Sequence, residues 1–279
     1  MTPTAMNIPF DYHMHSTYSC DCRVSMREMC ETAVQKGIPE IAFTEHFNRH
    51  RDDMCFERYD PDAYFAGLEE VRKEFAPQGL TVKAGIEVGE MHLYRAEVDA
   101  VLNNYPYDLV LGSLHWNHGE SIFSYEYFRK REPKAMAQEY FAEMLEMVED
   151  GGFDILSHID VIKRYAFQVY GSFALADYEE FVRPVLAACV KQGIIPEINT
   201  SALRMAVSQP HPTIEGLRWY KELGGESISL GSDSHNPLHL GTFFDVALQM
   251  ADEVGLKLAR FTGRQIVERI DASALVKTA

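Results

Sequence analysis

Residue types that bind divalent metals recur along this chain at the ends of short apolar runs. The first run is FDYHMH, 10–15, where His13 and His15 are separated by a single residue. Side chains alternate in an extended segment, so both imidazoles point to one side. Asp21 follows shortly after. Then come Glu45 and His46 in EIAFTEH, Glu87 in TVKAGIEV and His115 in DLVLGSLHW. His158 and Asp160 follow in FDILSHID, and Asp233 and His235 in SISLGSDSH. Neutral imidazoles and carboxylates are ordinary ligands of divalent cations. Buried His, Asp and Glu are costly unless paired or coordinated. Strand ends furnished in this way, one after another, point to a metal centre.

The chain must bring those ends together. Between the runs, which also include IIPEINTS at 194–201, lie stretches with helical period and punctuation. Ser25 and Glu28 make a capping-box pattern ahead of MREMCETAVQK, and Gly37 stands at its stop. PKAMAQEYFAEMLEMVED, 133–150, is amphipathic and ends at Gly151-Gly152. Asp177 opens a helix that runs to Gly193, and Pro212-Thr213 opens one that ends near Gly224-Gly225. Strand alternating with helix predicts parallel strands joined by right-handed crossovers. Continuous apolar strands fit a parallel sheet buried on both faces. About seven such runs predict an α/β fold, a distorted seven-stranded (β/α)7 barrel of TIM-barrel-like form. No linker or composition break divides it, so one domain is expected over residues 1–279. In such a fold the carboxyl ends of the strands share one rim. The polar stretch HFNRHRDDMCFERYDPD, 46–62, is expected to loop over that rim.

Bulk composition narrows the function. The formal net charge is −16, which disfavours a nucleic-acid partner. No apolar run approaches the ~20 residues of a membrane span. The first residues lack the basic and apolar regions of a signal peptide, so the expected location is cytoplasmic with no membrane partner. Five cysteines (Cys20, Cys22, Cys30, Cys55, Cys189) show no framework spacing and read as reduced thiols. Cys20 and Cys22 make a weak case for a soft metal site.

HMHSTYSCD, TEH at 44–46, GIEV at 85–88, GSLHW at 112–116, SHID at 157–160 and GSDSH at 231–235 resemble successive motifs of the PHP (polymerase and histidinol phosphatase) superfamily. HIDVIKRY and EINTSALR resemble its monofunctional histidinol-phosphate phosphatase branch. The resemblance implies a barrel with up to three divalent metal ions. His13, His15, Glu87 and Asp233 would hold the first. Glu87 would bridge to a second, completed by His115 and His158. Asp21, His46 and His235 would hold the third. Many relatives have His where this chain has Asp21. A carboxylate is a harder ligand, so Mn, Fe or Mg suits that position better than Zn.

The activity implied is hydrolysis of a phosphate monoester, L-histidinol phosphate, by a hydroxide bridging two metals, with Glu87 and Asp233 catalytic as ligands. Lys163, Arg164, Arg204 and Ser234 are the expected phosphate contacts, Arg164 and Arg204 foremost because a guanidinium fork matches phosphate. Asp160 and His118 are the expected leaving-group donors. Glu45 is read either as a solvated carboxylate or as a group that orients a ligand. His50, His92, His211 and His239 read as exposed or simply hydrogen-bonded. Competing readings are a PHP phosphoesterase for a nucleotide or sugar phosphate, and a non-catalytic metal-binding module. A metal-dependent amidohydrolase also begins with HxH. Such enzymes place a lysine at the end of a middle strand, and DLVLGSLHW has none.

Overall fold

The computed structural model describes residues 8–276. Ten strands follow in chain order. They are β1 (Glu40–Phe47), β2 (Thr81–Gly89), β3 (Leu109–Ser113), β4 (Trp116–Asn117), β5 (Glu120–Ser121), β6 (Ile155–Leu156), β7 (Ile195–Asn199), β8 (Ser227–Gly231), β9 (Lys257–Thr262) and β10 (Gln265–Asp271). β4 and β5 pair with each other, and the remaining strands form an eight-stranded sheet in the order β1-β2-β3-β6-β7-β8-β9-β10. Every neighbouring pair from β1 to β9 is parallel, and β10 closes antiparallel on β9.

Helices cover the crossovers: α1 (Met26–Lys36), α2 (Pro61–Phe75), α3 (Arg95–Leu102), α4 (Tyr125–Arg129), α5 (Pro133–Asp150), α6 (Lys163–Tyr170), α7 (Glu179–Gln192), α8 (Ile214–Glu222) and α9 (Phe244–Val254). The expected punctuation is present in α1. Ser25 caps it in a full capping box, and Gly37 ends it at φ 69°, a left-handed conformation that suits glycine. β3, β7 and β8 are buried along their whole length, as parallel strands covered on both faces should be.

Two expectations need correction. The sheet has eight strands rather than seven, because the C-terminal hairpin β9–β10 joins it. Its two-residue turn, Gly263-Arg264, has positive φ at both positions, the geometry that matches hairpin twist. β10 is largely exposed and carries charges, so its sequence lacks the apolar signal of the inner strands. The run at 10–15 is not a regular strand either. It makes only the isolated bridges Asp11–Ile41 and Met14–Ser234. His13 N donates to the Asp11 carboxylate and Met14 N to the Thr44 hydroxyl, which interrupts the ladder. The segment still lies between two strands. Thr44 N of β1 donates to Met14 O, and Tyr12 N donates to Leu230 O of β8.

The cysteines also differ from expectation. Cys20 and Cys55 form a disulfide with a Cα separation of 5.2 Å, while Cys22, Cys30 and Cys189 are free and buried. No helix among the described residues is long and apolar enough to cross a membrane.

Candidate active site

The parallel strands deliver their ligand-type residues to one end of the sheet. His46 and Glu87 sit near the ends of β1 and β2, and register pairs them directly. His115, His158 and the pair Asp233 and His235 lie just beyond β3, β6 and β8. The 10–15 segment inserts His13 and His15 between β1 and β8.

Glu87 is the hub. Its Oε2 lies 3.3 Å from His13 Nε2, 3.5 Å from His15 Nε2 and 3.0 Å from His46 Nδ1. Its Oε1 lies 3.3 Å from His115 Nε2 and 3.0 Å from His158 Nε2, and accepts from Ser113 Oγ at 2.6 Å. Asp233 Oδ1 stands 3.6 Å from His15 Nε2 and 3.9 Å from His13 Nε2. On the outer side Asp21 Oδ2 faces His235 Nε2 at 3.0 Å and His46 Nε2 at 3.3 Å. All nine expected ligand residues therefore meet in one cluster. Within it, donor atoms of His13, His15 and Glu87 lie within 4.8 Å of one another, as do those of His46, Glu87 and His115, and of His15, His46 and His235.

Four buried atoms of this cluster have no hydrogen-bond partner: His13 Nε2, His15 Nε2, His46 Nδ1 and Glu87 Oε2. An unpaired buried polar atom costs about 1–3 kcal/mol. Here the four converge, so the residues fit divalent cations. Electrostatics agree. Burial opposes ionisation of Glu87, yet His13 and His46 hold its carboxyl well below the usual range. Burial, with His235 and His46 alongside, pushes His15 down to about 3 and leaves a neutral imidazole.

Supporting groups hold the rings from behind. Glu197 Oε1 faces His13 Nδ1 at 2.8 Å, and Glu197 Oε2 accepts from His158 N at 3.0 Å. Glu45 accepts from Ser19 Oγ at 2.6 Å, and that hydroxyl lies 3.1 Å from His15 Nδ1. Glu45 is thus buried and orients His15 through Ser19, rather than lying solvated. An imidazole that donates from Nδ1 presents its Nε2 lone pair to the cluster. Close packing makes this exact in space. A Cβ at Gly231 would fall 2.5 Å from His13 Cβ and onto the Glu197 carboxylate. Glu197 escaped the sequence reading, although a carboxylate inside the apolar run IIPEINTS demands a buried partner and was a usable signal.

A cavity of about 160 Å³ opens over the cluster, lined by Glu87, Asp53, Met54, Phe123 and Arg164 among others. Arg164 Nη2 donates to Asp233 Oδ2 at 2.9 Å and to Ser201 Oγ. A second cavity of about 410 Å³ adjoins it, lined by Arg164, Arg204 and His239 among others. Arg204 Nη2 donates to Ser232 O at 2.8 Å, and Nη1 to Thr242 Oγ1 at 3.1 Å, so its guanidinium is tied to the loop that carries Asp233.

Four expected contacts lie elsewhere. Asp160 is fully buried and takes Lys163 Nζ at 2.9 Å and His211 Nδ1 at 2.7 Å. Burial would raise its pKa, but Lys163 and His211 keep it low, so it has no proton to give a leaving group. Lys163 is equally buried and also donates to Pro210 O, away from the cavity. His118 is 61% exposed and faces Glu143, and Ser234 Oγ donates to Asn236 O at 2.7 Å. His211, fully buried, lies 3.3 Å from Arg164 Nε through Nε2.

Known proteins bear on this geometry. A probable histidinol-phosphatase of Clostridium acetobutylicum is 30% identical over 257 residues, covering 91% of this chain and 97% of its own. A histidinol-phosphatase of Lactococcus lactis is 28% identical over 259 residues, covering 92% and 95%. The crystal structure of the Lactococcus lactis histidinol phosphate phosphatase, complexed with Zn, L-histidinol and phosphate, superposes with a TM-score of 0.84 at 25% identity, covering 93% of this chain and 99% of that one. The model of the PHP domain matches residues 11–201, and with that match the chain belongs to the PHP family.

Proposed function

We propose that this protein is a metal-dependent phosphomonoesterase that hydrolyses L-histidinol phosphate to L-histidinol and phosphate, a step of histidine biosynthesis. The observation that carries this reading is the convergence of His13, His15, Asp21, His46, Glu87, His115, His158, Asp233 and His235 beneath a cavity that Arg164 also lines. The relatives named as histidinol-phosphatases, matched over most of their length, support the substrate.

Up to three divalent ions fit the donors, in the sets given by the family motifs. Asp21 favours Mn or Fe, with Mg also allowed, while the Lactococcus lactis structure with Zn supports Zn as an alternative. Bound there, such ions would supply Lewis acidity toward phosphoryl oxygens and lower the pKa of a water. The chain's own groups do the rest. Glu87, held ionised, sets the spacing of the imidazoles around it. Glu197 and Glu45 fix the tautomers of His13 and His15. Arg164 presents a guanidinium to a phosphoryl oxygen and is steadied by Asp233 and Ser201. Arg204 steadies the Asp233 loop.

The backbone bonds of residues 11–15 to both β1 and β8 support reading the sheet as a barrel closed by that segment, within one domain. A biosynthetic reaction of this kind fits the cytoplasm. The test is phosphate release from a panel of histidinol phosphate, a nucleotide and a sugar phosphate by protein loaded in turn with Mn, Fe, Zn or Mg. Histidinol phosphate should have the highest kcat/KM. A higher value for the nucleotide or the sugar phosphate would replace the substrate. Metal binding with no turnover on any ester would point to a non-catalytic module.

A further inference from the structure

One carboxylate on the cavity wall is left over once the metal-site residues are assigned. Asp53 lies on the turn-rich segment between β1 and α2 and lines the cavity with Met54 and Phe123. Its Oδ2 accepts from the Trp116 indole Nε1 at 2.7 Å, and its Oδ1 from Cys55 N at 2.7 Å. The Asn48 side chain, on the same cavity wall, is a third neighbour that favours its charge, and a carboxylate with about four lone-pair sites keeps room for one more donor. Burial opposes the charge, but the Trp116, Cys55 and Asn48 donors, with His115 nearby, outweigh it and hold the carboxyl below its ordinary value.

Both supports are themselves braced. The Trp116 ring stacks on His50 at 3.8 Å, its backbone N donates to Glu90 at 2.9 Å, and Cys55 is cross-linked to Cys20. Asp53 has no Lys or Arg ion-pair partner among the described residues, and Arg49, four residues earlier in the chain, pairs with Glu57 at 3.6 Å. A fixed, anionic, unpaired carboxylate thus shares a small cavity with the metal-site residues and with apolar surface.

Resting on the histidinol phosphate reading, we infer that Asp53 is a specificity-determining residue that pairs with the cationic amino group of the substrate. A phosphate ester seated over the metal site must lay its alcohol portion along this wall. L-Histidinol carries an ammonium group near neutral pH, and sugar alcohols do not. Asp53 therefore selects aminoalkyl phosphates from among the phosphate monoesters.

The experiment compares the metal-loaded wild type with Asp53→Asn on three substrates. They are histidinol phosphate, imidazolepropanol phosphate, which lacks the amine, and 4-nitrophenyl phosphate. Wild type should favour histidinol phosphate over the deamino ester by about 10- to 100-fold in kcat/KM, the range for a hydrogen bond to a charged group. Asp53→Asn should erase that preference mainly through KM, losing far more on histidinol phosphate than on either of the other two esters. Equal losses on all three substrates would mean that Asp53 only braces Trp116, and would overturn the inference. A second measurement needs no variant: histidinol should inhibit wild type more strongly than imidazolepropanol, and equal inhibition overturns the inference. Wild type that cleaves 4-nitrophenyl phosphate but not histidinol phosphate would refute the substrate reading, and Asp53's role with it, in a pattern distinct from equal losses.

Discussion

The two oxygens of Glu87 face different sets of imidazoles, Oε2 lying among His13, His15 and His46 with no hydrogen bond made, and Oε1 meeting His115, His158 and Ser113. That position was legible in the sequence because GIEV ends an apolar run in a carboxylate. The groups that hold the rings were less legible, since Ser19, Ser113 and Glu197 belong to residue types with many ordinary uses. Glu197→Gln should weaken metal binding by about 10- to 100-fold, the usual cost of losing a group that orients a metal-bound histidine. Metal competition with a chelator of known affinity checks this, and unchanged affinity would remove Glu197 from the site. The two arginines separate by their partners. Arg164→Ala should lower kcat/KM for histidinol phosphate by about 10²-fold or more, as loss of a charged donor at a reacting centre does. Bound metal should stay constant in that variant. Arg204→Ala should also loosen bound metal, because Arg204 ties down the Asp233 loop. Steady-state kinetics beside elemental analysis of the same preparations distinguishes the two.

Element order followed from alternating apolar runs and helical punctuation: β3, β6, β7 and β8 lie within the runs read from the sequence, and β1 and β2 overrun theirs by one residue. The misses have local causes. The 10–15 segment looks like a strand because its side chains alternate, yet Asp11 and Thr44 capture its backbone N–H groups. β10 was hidden by its exposure, and the pairing of Cys20 with Cys55 depends on a loop path that spacing does not encode. Asp160 and Lys163 read as chemistry but fold inward. With His211 they form a buried network between the start of α6 and the loop before α8. Burial, with Lys163 nearby, pushes His211 down to about 3 from its ordinary 6.5, so it is neutral in the folded chain. The unfolded chain takes up that proton first as pH falls. His211 therefore adds nothing to the pH dependence above 6.5 and lowers stability progressively below it. Between pH 7 and 5 its contribution amounts to at most about 2 kcal/mol. Urea unfolding of chelator-treated protein should show this loss in wild type and a smaller one in His211→Asn. Equal losses would mean that His211 is already protonated when folded.

At the scale of the whole molecule, a chain of net charge −16 gathers six of its 11 histidines at one end of a largely parallel sheet. Buried Glu87 and partly buried Asp233 add negative charge at that end, so divalent cations are what would make it attractive to a phosphate ester. Cations that bind the folded chain alone also stabilise it, and chelation should lower Tm in proportion to the binding energy lost. The most direct measurement is a titration of chelator-stripped protein with Mn, reading kcat/KM for histidinol phosphate against metal bound per chain. Activity should be lost in the stripped protein and should climb to a plateau only beyond one equivalent. Full activity in protein shown by elemental analysis to be metal-free would contradict the account.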